Sequence, residues 1–321
     1  MQILIILDPL ASIKTYKDTT YAMMQSALGR GHSLCVCGIG DLTYDSVGAG
    51  GAGLVVAKAQ SLVIDADADP WYRTGDAKTM PLNGFDAVLM RTDPPFDMEY
   101  VYATYMFDRA QEQGARVFNR GRAIRDHNEK FAIAEFPHLT APTLITRDPA
   151  RLREFVMQHG RSIFKLLDGM GGMSIFQALP DDPNLSVIIE TMNLFGRQSV
   201  MAQKFLPEIA AGDKRILLIG GQVVPHALAR IPASGEVRGN MAAGGRPVAQ
   251  PLSARDLEIA NELAPELNAR GLFLVGLDVI GDRVTEINVT SPTGFQEITA
   301  QTGFDVAGLF IEQLERAVAG T

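Results

Sequence analysis

The chain has 321 residues, with 37 Asp and Glu against 29 Lys and Arg and a formal net charge of −8. That length predicts two or three packed subdomains, and 46% hydrophobic with 21% charged residues excludes a disordered or fibrous chain. The negative balance is the wrong sign for affinity built on neutralising a phosphate backbone, so no nucleic-acid partner is expected.

The apolar start of the chain carries no basic leader and stops at Asp8, too short for a secretory segment. No window reaches the roughly 20 apolar residues of a membrane span. A cytoplasmic protein with no membrane partner is therefore expected. Residues 3–7 form a continuous apolar run ending in Asp8-Pro9, the pattern of a strand buried on both faces. A helix fits 18–30, with Gly31 placed to cap its end, and 32–38 supplies the next strand. This β-α-β opening predicts a parallel sheet with crossover helices. Cys35 and Cys37, the only cysteines, share one face of that strand. Their spacing suits neither a disulfide framework nor a C-x-x-C site, so they read as small packed residues. Residues 85–90 and 115–118 read as further strands and 98–113 as a long helix, which makes the first 120 residues an open α/β domain.

Beyond about Arg122 the pattern becomes α+β. Helices are expected at 151–159 and 182–192, a strand at 162–167, and a hairpin over 215–230 turning at Gly220-Gly221. Residues 233–246 read as a long glycine-rich loop. A helix over 253–270, a hairpin over 272–289 and a last helix over 304–318 complete the chain.

Some motifs are uninformative. Gly48-Ala-Gly50-Gly51-Ala-Gly53 matches G-x-G-x-x-G but does not link the first strand to a helix, where a pyrophosphate needs it. The P-loop string is absent. The five histidines lack metal-ligand spacing, which leaves zinc or His-dependent nucleophilic chemistry unsupported.

Three clusters carry chemistry. In the last hairpin, Glu286 and Asn288 share a strand face. Asp278 opposes Glu286 if the turn holds three residues, 281–283. Two opposed carboxylates destabilise a sheet unless a cation joins them, and Asp, Glu and Asn oxygens suit Mg²⁺ held together with nucleotide phosphates. The alternative is a different register with these residues on a solvated face. The second cluster is the glycine loop 168–174, entered from a strand carrying Lys165. It reads either as a phosphate cover built from backbone N–H groups or as an ordinary hairpin beside a surface lysine. The third is Asp213-Lys-Arg215 with Arg230 and Arg238, either a pocket for carboxylate or phosphate groups or solvated arginines.

In this order the clusters resemble the ATP-grasp ligases. The strings Met90-Arg-Thr-Asp-Pro-Pro-Phe-Asp97, Leu167-Asp-Gly-Met-Gly-Gly172 and Thr285-Glu-Ile-Asn-Val-Thr-Ser-Pro-Thr293 narrow the resemblance to the bacterial glutathione synthetases. It implies an ATP-grasp fold with an N-terminal α/β domain (1–122), a central lid domain (123–203) and a C-terminal domain (204–321). ATP would lie between the last two. Lys130 and Lys165 would contact its phosphates, with Gly169, Gly171, Gly172 and Ser174 in the covering loop. Gln203, Lys204, Phe205 and Leu206 would meet adenine near Asp213. Asp278, Glu286 and Asn288 would hold Mg²⁺ or Mn²⁺. Arg215, Arg230 and Arg238, with Ser291, would face the substrate carboxylates and the developing phosphate charge.

The implied reaction joins glycine to γ-glutamylcysteine through an acyl phosphate, in a dimer or tetramer of identical chains. The 233–246 loop would serve as a lid, since an acyl phosphate must be kept from water. The sequence departs from the family at Leu166, where many members have proline, at Met173 in the glycine loop, and at Gln296, where some have arginine. The last leaves room for a different acceptor. A nucleotide-binding regulator without activity is the remaining alternative.

Overall fold

The structure, a computed structural model, describes residues 1–47, 53–169, 174–233, 239 and 244–320. Its strands form three sheets in chain order. The first contains β1 (Gln2–Ile6), β2 (Ser33–Cys37), β3 (Leu42–Asp45), β4 (Leu54–Ile64), β5 (Tyr72–Thr74), β6 (Lys78–Pro81), β7 (Ala87–Met90) and β8 (Val117–Phe118), ordered β3-β4-β2-β1-β7-β8 with β5 and β6 both on β4. β1 runs parallel to β2 and β7. Period-2 geometry divides the apolar run of β1 between two cores. Leu4 and Ile6 pack with Tyr100 and Phe107 of helix α2, and Ile3 and Ile5 pack with Met23 and Met24 of helix α1. Helix α1 (Thr19–Gly29) starts where the Asp18 side chain accepts from Tyr21 N, and it stops at Gly31, whose φ of +79° suits glycine. Helix α2 is Met98–Glu112, capped by Asp97, and a short helix, α3 (Gly121–Arg125), follows.

The second sheet is antiparallel, with β9 (Thr143–Thr146), β10 (Ser162–Leu166), β11 (Phe176–Ala178) and β12 (Val200–Lys204) in the order β11-β10-β12-β9. Helices α4 (Pro149–His159) and α5 (Leu185–Met192) close its small separate core.

The third sheet joins β13 (Asp213–Ile219), β14 (Gln222–Ile231), β15 (Arg246–Pro251), β16 (Leu274–Ile280) and β17 (Arg283–Asn288) in the order β15-β14-β13-β16-β17. Helix α6 (Ala254–Ala269) begins at a reciprocal cap between Ser253 and Asp256. Helices α7 (Phe295–Thr302) and α8 (Val306–Ala319) follow the sheet, and Phe310 of α8 shares a core with Met23 of α1.

The expected elements are present with small shifts at their ends, and several are additional. The expected hairpin over 272–289 does pair Asp278 with Glu286, but by another route. The turn holds only Gly281 and Asp282, since Ile280 already pairs with Arg283. The extra residue is Thr285, which bulges between the pairs Val279–Val284 and Asp278–Glu286. β15 begins at the end of the expected 233–246 loop. Its Pro247 and Pro251 disguise it as a strand, and both are tolerated because β15 is an edge. Most of that loop, and residues 48–52 of the G-x-G-x-x-G string between β3 and β4, lie outside the described residues. Cys35 and Cys37 are buried free thiols packed in one core. No described helix is long and apolar enough to cross a membrane.

Candidate active site

One face of the third sheet carries the chemistry, and strand register puts it there. Asp213 and Arg215 are two apart on β13 and so share a face. Across the ladders Asp213 pairs with Arg230 of β14, Arg215 with Asp278 of β16, and Asp278 with Glu286 of β17. Asn288 lies two residues beyond Glu286. The result is a row of one cation and two acids, Arg215, Asp278, Glu286, with Arg230 and Asp213 beside it.

The row is closely bonded. Arg215 Nε donates to Asp278 Oδ1 at 2.5 Å and its Nη2 to Oδ2 at 3.1 Å, a bidentate pair. Arg230 Nη2 lies 2.5 Å from Asp213 Oδ2 and 2.9 Å from Asp278 Oδ2, so one guanidinium bridges two carboxylates. Glu286 Oε1 is 3.3 Å from Lys165 Nζ, which arrives from β10 of the second sheet, and 4.0 Å from Lys130 Nζ. Lys130 Nζ also donates to Gly169 O at 2.5 Å.

Burial opposes the charge on Asp278, yet Arg215 and Arg230 hold its carboxyl well below the usual range. Burial likewise opposes ionisation of Glu286, and Lys130 and Lys165 lower it. Asp213 is the exception. Burial lifts it to about 6, only partly countered by Arg230 and reinforced by Asp278.

These groups line a cavity of about 520 Å³ between the second and third sheets, open to the loops of the first. Lys130, Lys165, Gly169, Gln203, Lys204, Phe205, Leu206, Asp213, Arg215, Arg230, Asp278, Glu286, Asn288 and Ser291 all contribute to its wall. Gln203 is buried on β12, where the Lys204 and Phe205 N–H groups donate to Pro142 O and Arg161 O. Ser174 is described but does not line the wall, and Gly171, Gly172 and Arg238 lie outside the described residues. Gly169 offers its carbonyl to Lys130, while its own N–H donates to Leu166 O.

The donors fit a hard divalent ion, because all three expected ligands carry oxygen. Asn288 Nδ2 donates to Gly276 O at 3.1 Å, which identifies Oδ1 as its available end. Asp278 Oδ2 faces two arginine nitrogens and Oδ1 one, which leaves Oδ1 the oxygen with a lone pair for an ion. Among the described residues no three His, Cys, Asp or Glu side chains cluster to hold a metal by themselves. An ion here would draw further ligands from outside these side chains.

Sequence reasoning missed part of the wall. Lys14, Lys17 and Asp18 reach it from the loop after β1, and Asp93, Glu129, Thr293 and Glu297 complete it. Glu129 Oε1 accepts from Val289 N, Thr290 N and Thr290 Oγ1 at 2.8–3.0 Å, tying the Asn-Glu-Lys segment to the end of β17. Its position next to Lys130 was the available signal. Ser291 Oγ donates to Asp93 Oδ1, which explains the pairing of the two Asp-Pro-Pro and Thr-Ser-Pro strings.

A nucleotide-sized cavity between two antiparallel sheets, with lysines from one and a carboxylate row from the other, defines an ATP-grasp ligase. Solved structures share this fold. The ATP-grasp ligase PsnB with its minimal precursor superposes with a TM-score of 0.65 at 20% identity, covering 99% of this chain and 98% of that one. The D-cycloserine synthetase DcsG gives 0.68 at 15% identity, covering 98% and 99%. Within that class the chain belongs to the prokaryotic glutathione synthetases. Residues 1–125 match the family's N-terminal domain and 129–303 its ATP-grasp domain. A glutathione synthetase of Ralstonia nicotianae is 58% identical over 317 residues, covering 99% of this chain and 96% of the relative. One from Neisseria meningitidis serogroup A is 55% identical over 316 residues, covering 97% and 98%.

Proposed function

We propose that the chain forms glutathione from γ-glutamylcysteine and glycine at the expense of ATP, using the cavity between the second and third sheets. Family membership brings ATP-dependent glutathione formation and a need for a divalent metal; the residue roles below are proposals. The observation that carries them is the convergence of Lys130, Lys165, Arg215 and Arg230 on one cavity with Asp278 and Glu286.

In this reading Lys130 and Lys165 receive the ATP phosphates, with Gly169, Gly171, Gly172 and Ser174 in the loop above. The segment Gln203 to Leu206 meets adenine, with Asp213 close by. Asp278, Glu286 and Asn288 would hold Mg²⁺ or Mn²⁺, which would neutralise phosphate charge. The cysteinyl carboxylate attacks the γ-phosphorus and ADP leaves. Glycine's amine then attacks the acyl carbon, loses a proton and expels phosphate. Arg215, Arg230 and Arg238, with Ser291, orient the carboxylates and stabilise the charge that develops. Such chemistry needs no covalent catalyst. None of the five histidines lines the cavity.

The domain division at 122 and 203, a cytoplasmic location and a dimeric or tetrameric assembly belong to the same reading. The test is coupled ADP release with γ-glutamylcysteine, with and without glycine. Release that requires both supports the assignment. Release with another acyl substrate alone points to a different ligase, and none at all to a regulator.

A further inference from the structure

A second cavity, of about 460 Å³, shares no lining residue with the first. Its wall is made by the C-terminal half of α2, by α3 with its flanking residues, and by Arg270 at the end of α6. The proposed reaction uses none of these groups. His127 belongs to this wall and stands directly before the Asn128-Glu129-Lys130 segment of the first cavity.

Each acidic side chain of the wall is already matched by a donor. Asp108 accepts from Arg122 N at 2.8 Å and from Arg125 Nη2 at 2.7 Å. Glu112 accepts from Arg109 Nη1 at 2.7 Å, and Asp126 from Arg122 Nε at 3.2 Å. Arg270 is likewise engaged, by Glu135 at 2.8 Å and Glu266 at 2.9 Å.

Two groups of the wall are not matched. The Arg120 guanidinium has no hydrogen bond or ion pair among the described residues. Its stem is nevertheless fixed: Arg120 N donates to Gly271 O at 3.0 Å, and a Cβ on Gly271 would stand 2.5 Å from Arg120 Cδ. The other group is His127, only 4% exposed, whose Nε2 is buried without a partner among the described residues. Burial holds this imidazole down at about 4, with Glu135 opposing and Arg270 adding to the effect, so at neutral pH the ring is uncharged and carries one N–H. A buried ring nitrogen left unmet beside an unpaired guanidinium is costly, and what the wall lacks is a charged acceptor.

We infer that this cavity is a second ligand site, for an organic anion whose carboxylate or phosphate group accepts from the Arg120 guanidinium and from His127 Nε2–H. A bare ion would fill little of the volume, which is in the range of small-molecule sites. Gln111 and Ala123 line the remainder, where the uncharged part of the ligand would lie. The inference stands independently of the proposed reaction.

Succinate and ethyl phosphate are the probes, one offering carboxylates and the other a phosphate. Each is titrated by calorimetry into the full chain saturated with a non-hydrolysable ATP analogue, Mg²⁺ and γ-glutamylcysteine, which occupy the first cavity. Histidine-selective NMR follows the five imidazoles in parallel. At least one probe should bind and shift the His127 ring signals while the other four stay in place. The tighter of the two assigns the ligand's acidic group. Arg120→Met keeps the stem on Gly271, and it should weaken binding by about tenfold or more while glycine-dependent ADP release stays at the wild-type rate, which shows that the variant is folded. Failure of both probes to bind would overturn the site. So would binding that leaves the His127 signals unmoved, or that Arg120→Met does not weaken.

Discussion

Asp278 meets Arg215 side by side, with Nε 2.5 Å from Oδ1 and Nη2 3.1 Å from Oδ2, at a register position where the two residues are direct partners of β16 and β13. Both are buried. Removing Arg215 leaves Asp278 with Arg230 alone, and removing Asp278 leaves Arg215 facing the cavity without its carboxylate. Arg215→Ala or Asp278→Ala should therefore cost about 1–3 kcal/mol of stability as well as activity. Replacing both, as Arg215→Met with Asp278→Leu, should recover much of the stability and none of the turnover. Denaturant unfolding alongside ADP release separates the two effects, and a double variant no more stable than the singles would refute the account.

Glu286 should behave differently. It faces lysines from the opposite wall, and its loss frees cations that ATP phosphates can occupy. Glu286→Gln should lower kcat by about a hundredfold or more and shift the metal-concentration dependence of ADP release upward. An unchanged metal titration would remove Glu286 from the ion's shell.

Gly276 supports Arg215 from below. A Cβ there would sit 2.8 Å from Arg215 Cδ and 2.9 Å from Pro292 Cβ. Gly276→Ala should displace the guanidinium and raise the KM for γ-glutamylcysteine while the KM for ATP stays near its wild-type value. A rise confined to ATP would contradict this placement.

His127 makes stability depend on pH. Burial depresses its imidazole to about 4, with Arg270 adding to the effect and Glu135 opposing it. In the unfolded chain it titrates near 6.5. Between those values the unfolded state binds more protons, so the contribution is complete above about pH 6.5 and is lost as pH falls toward 4. The full span is about 3 kcal/mol. Urea unfolding at pH 7.5 and 4.5 should show the loss, and His127→Phe should flatten it.

The two thiols should be silent in the native protein. Burial pushes Cys37 up to about 12 and also raises Cys35, so little thiolate forms at neutral pH. A disulfide reagent should titrate neither until denaturant is added, and then both. Rapid native labelling would contradict the buried placement.

The β-α-β opening was legible because β1 is apolar on both faces and its helix has clean caps at Asp18 and Gly31. The charged groups around Lys165, Arg215, Asp278 and Glu286 were legible because their residue types are costly to place together without a partner. The strands at 42–81 were not, since they are short or alternate with exposed residues and contain Pro81. The side of the first cavity nearest α7 was hidden for another reason. Lys14, Lys17 and Glu297 are about 280 residues apart in sequence and meet only because Thr19 and Gln296 join α1's approach to α7. A long-range contact of that kind leaves no periodicity to read. Gln296 looked like a missing charge, whereas its amide secures the loop.

The bulge at Thr285 decides which side of the sheet the acid lies on. With the two-residue turn and no extra residue, Asp278 would oppose Thr285, and Glu286 and Asn288 would project from the other surface toward the helices. A one-residue slip of β17 against β16 that replaced the bulge by an even ladder would keep every named side chain and turn Glu286 and Asn288 away from the cavity. Within this hairpin it is register that is constrained: loss of Thr285 itself would leave Asp278 opposite Glu286.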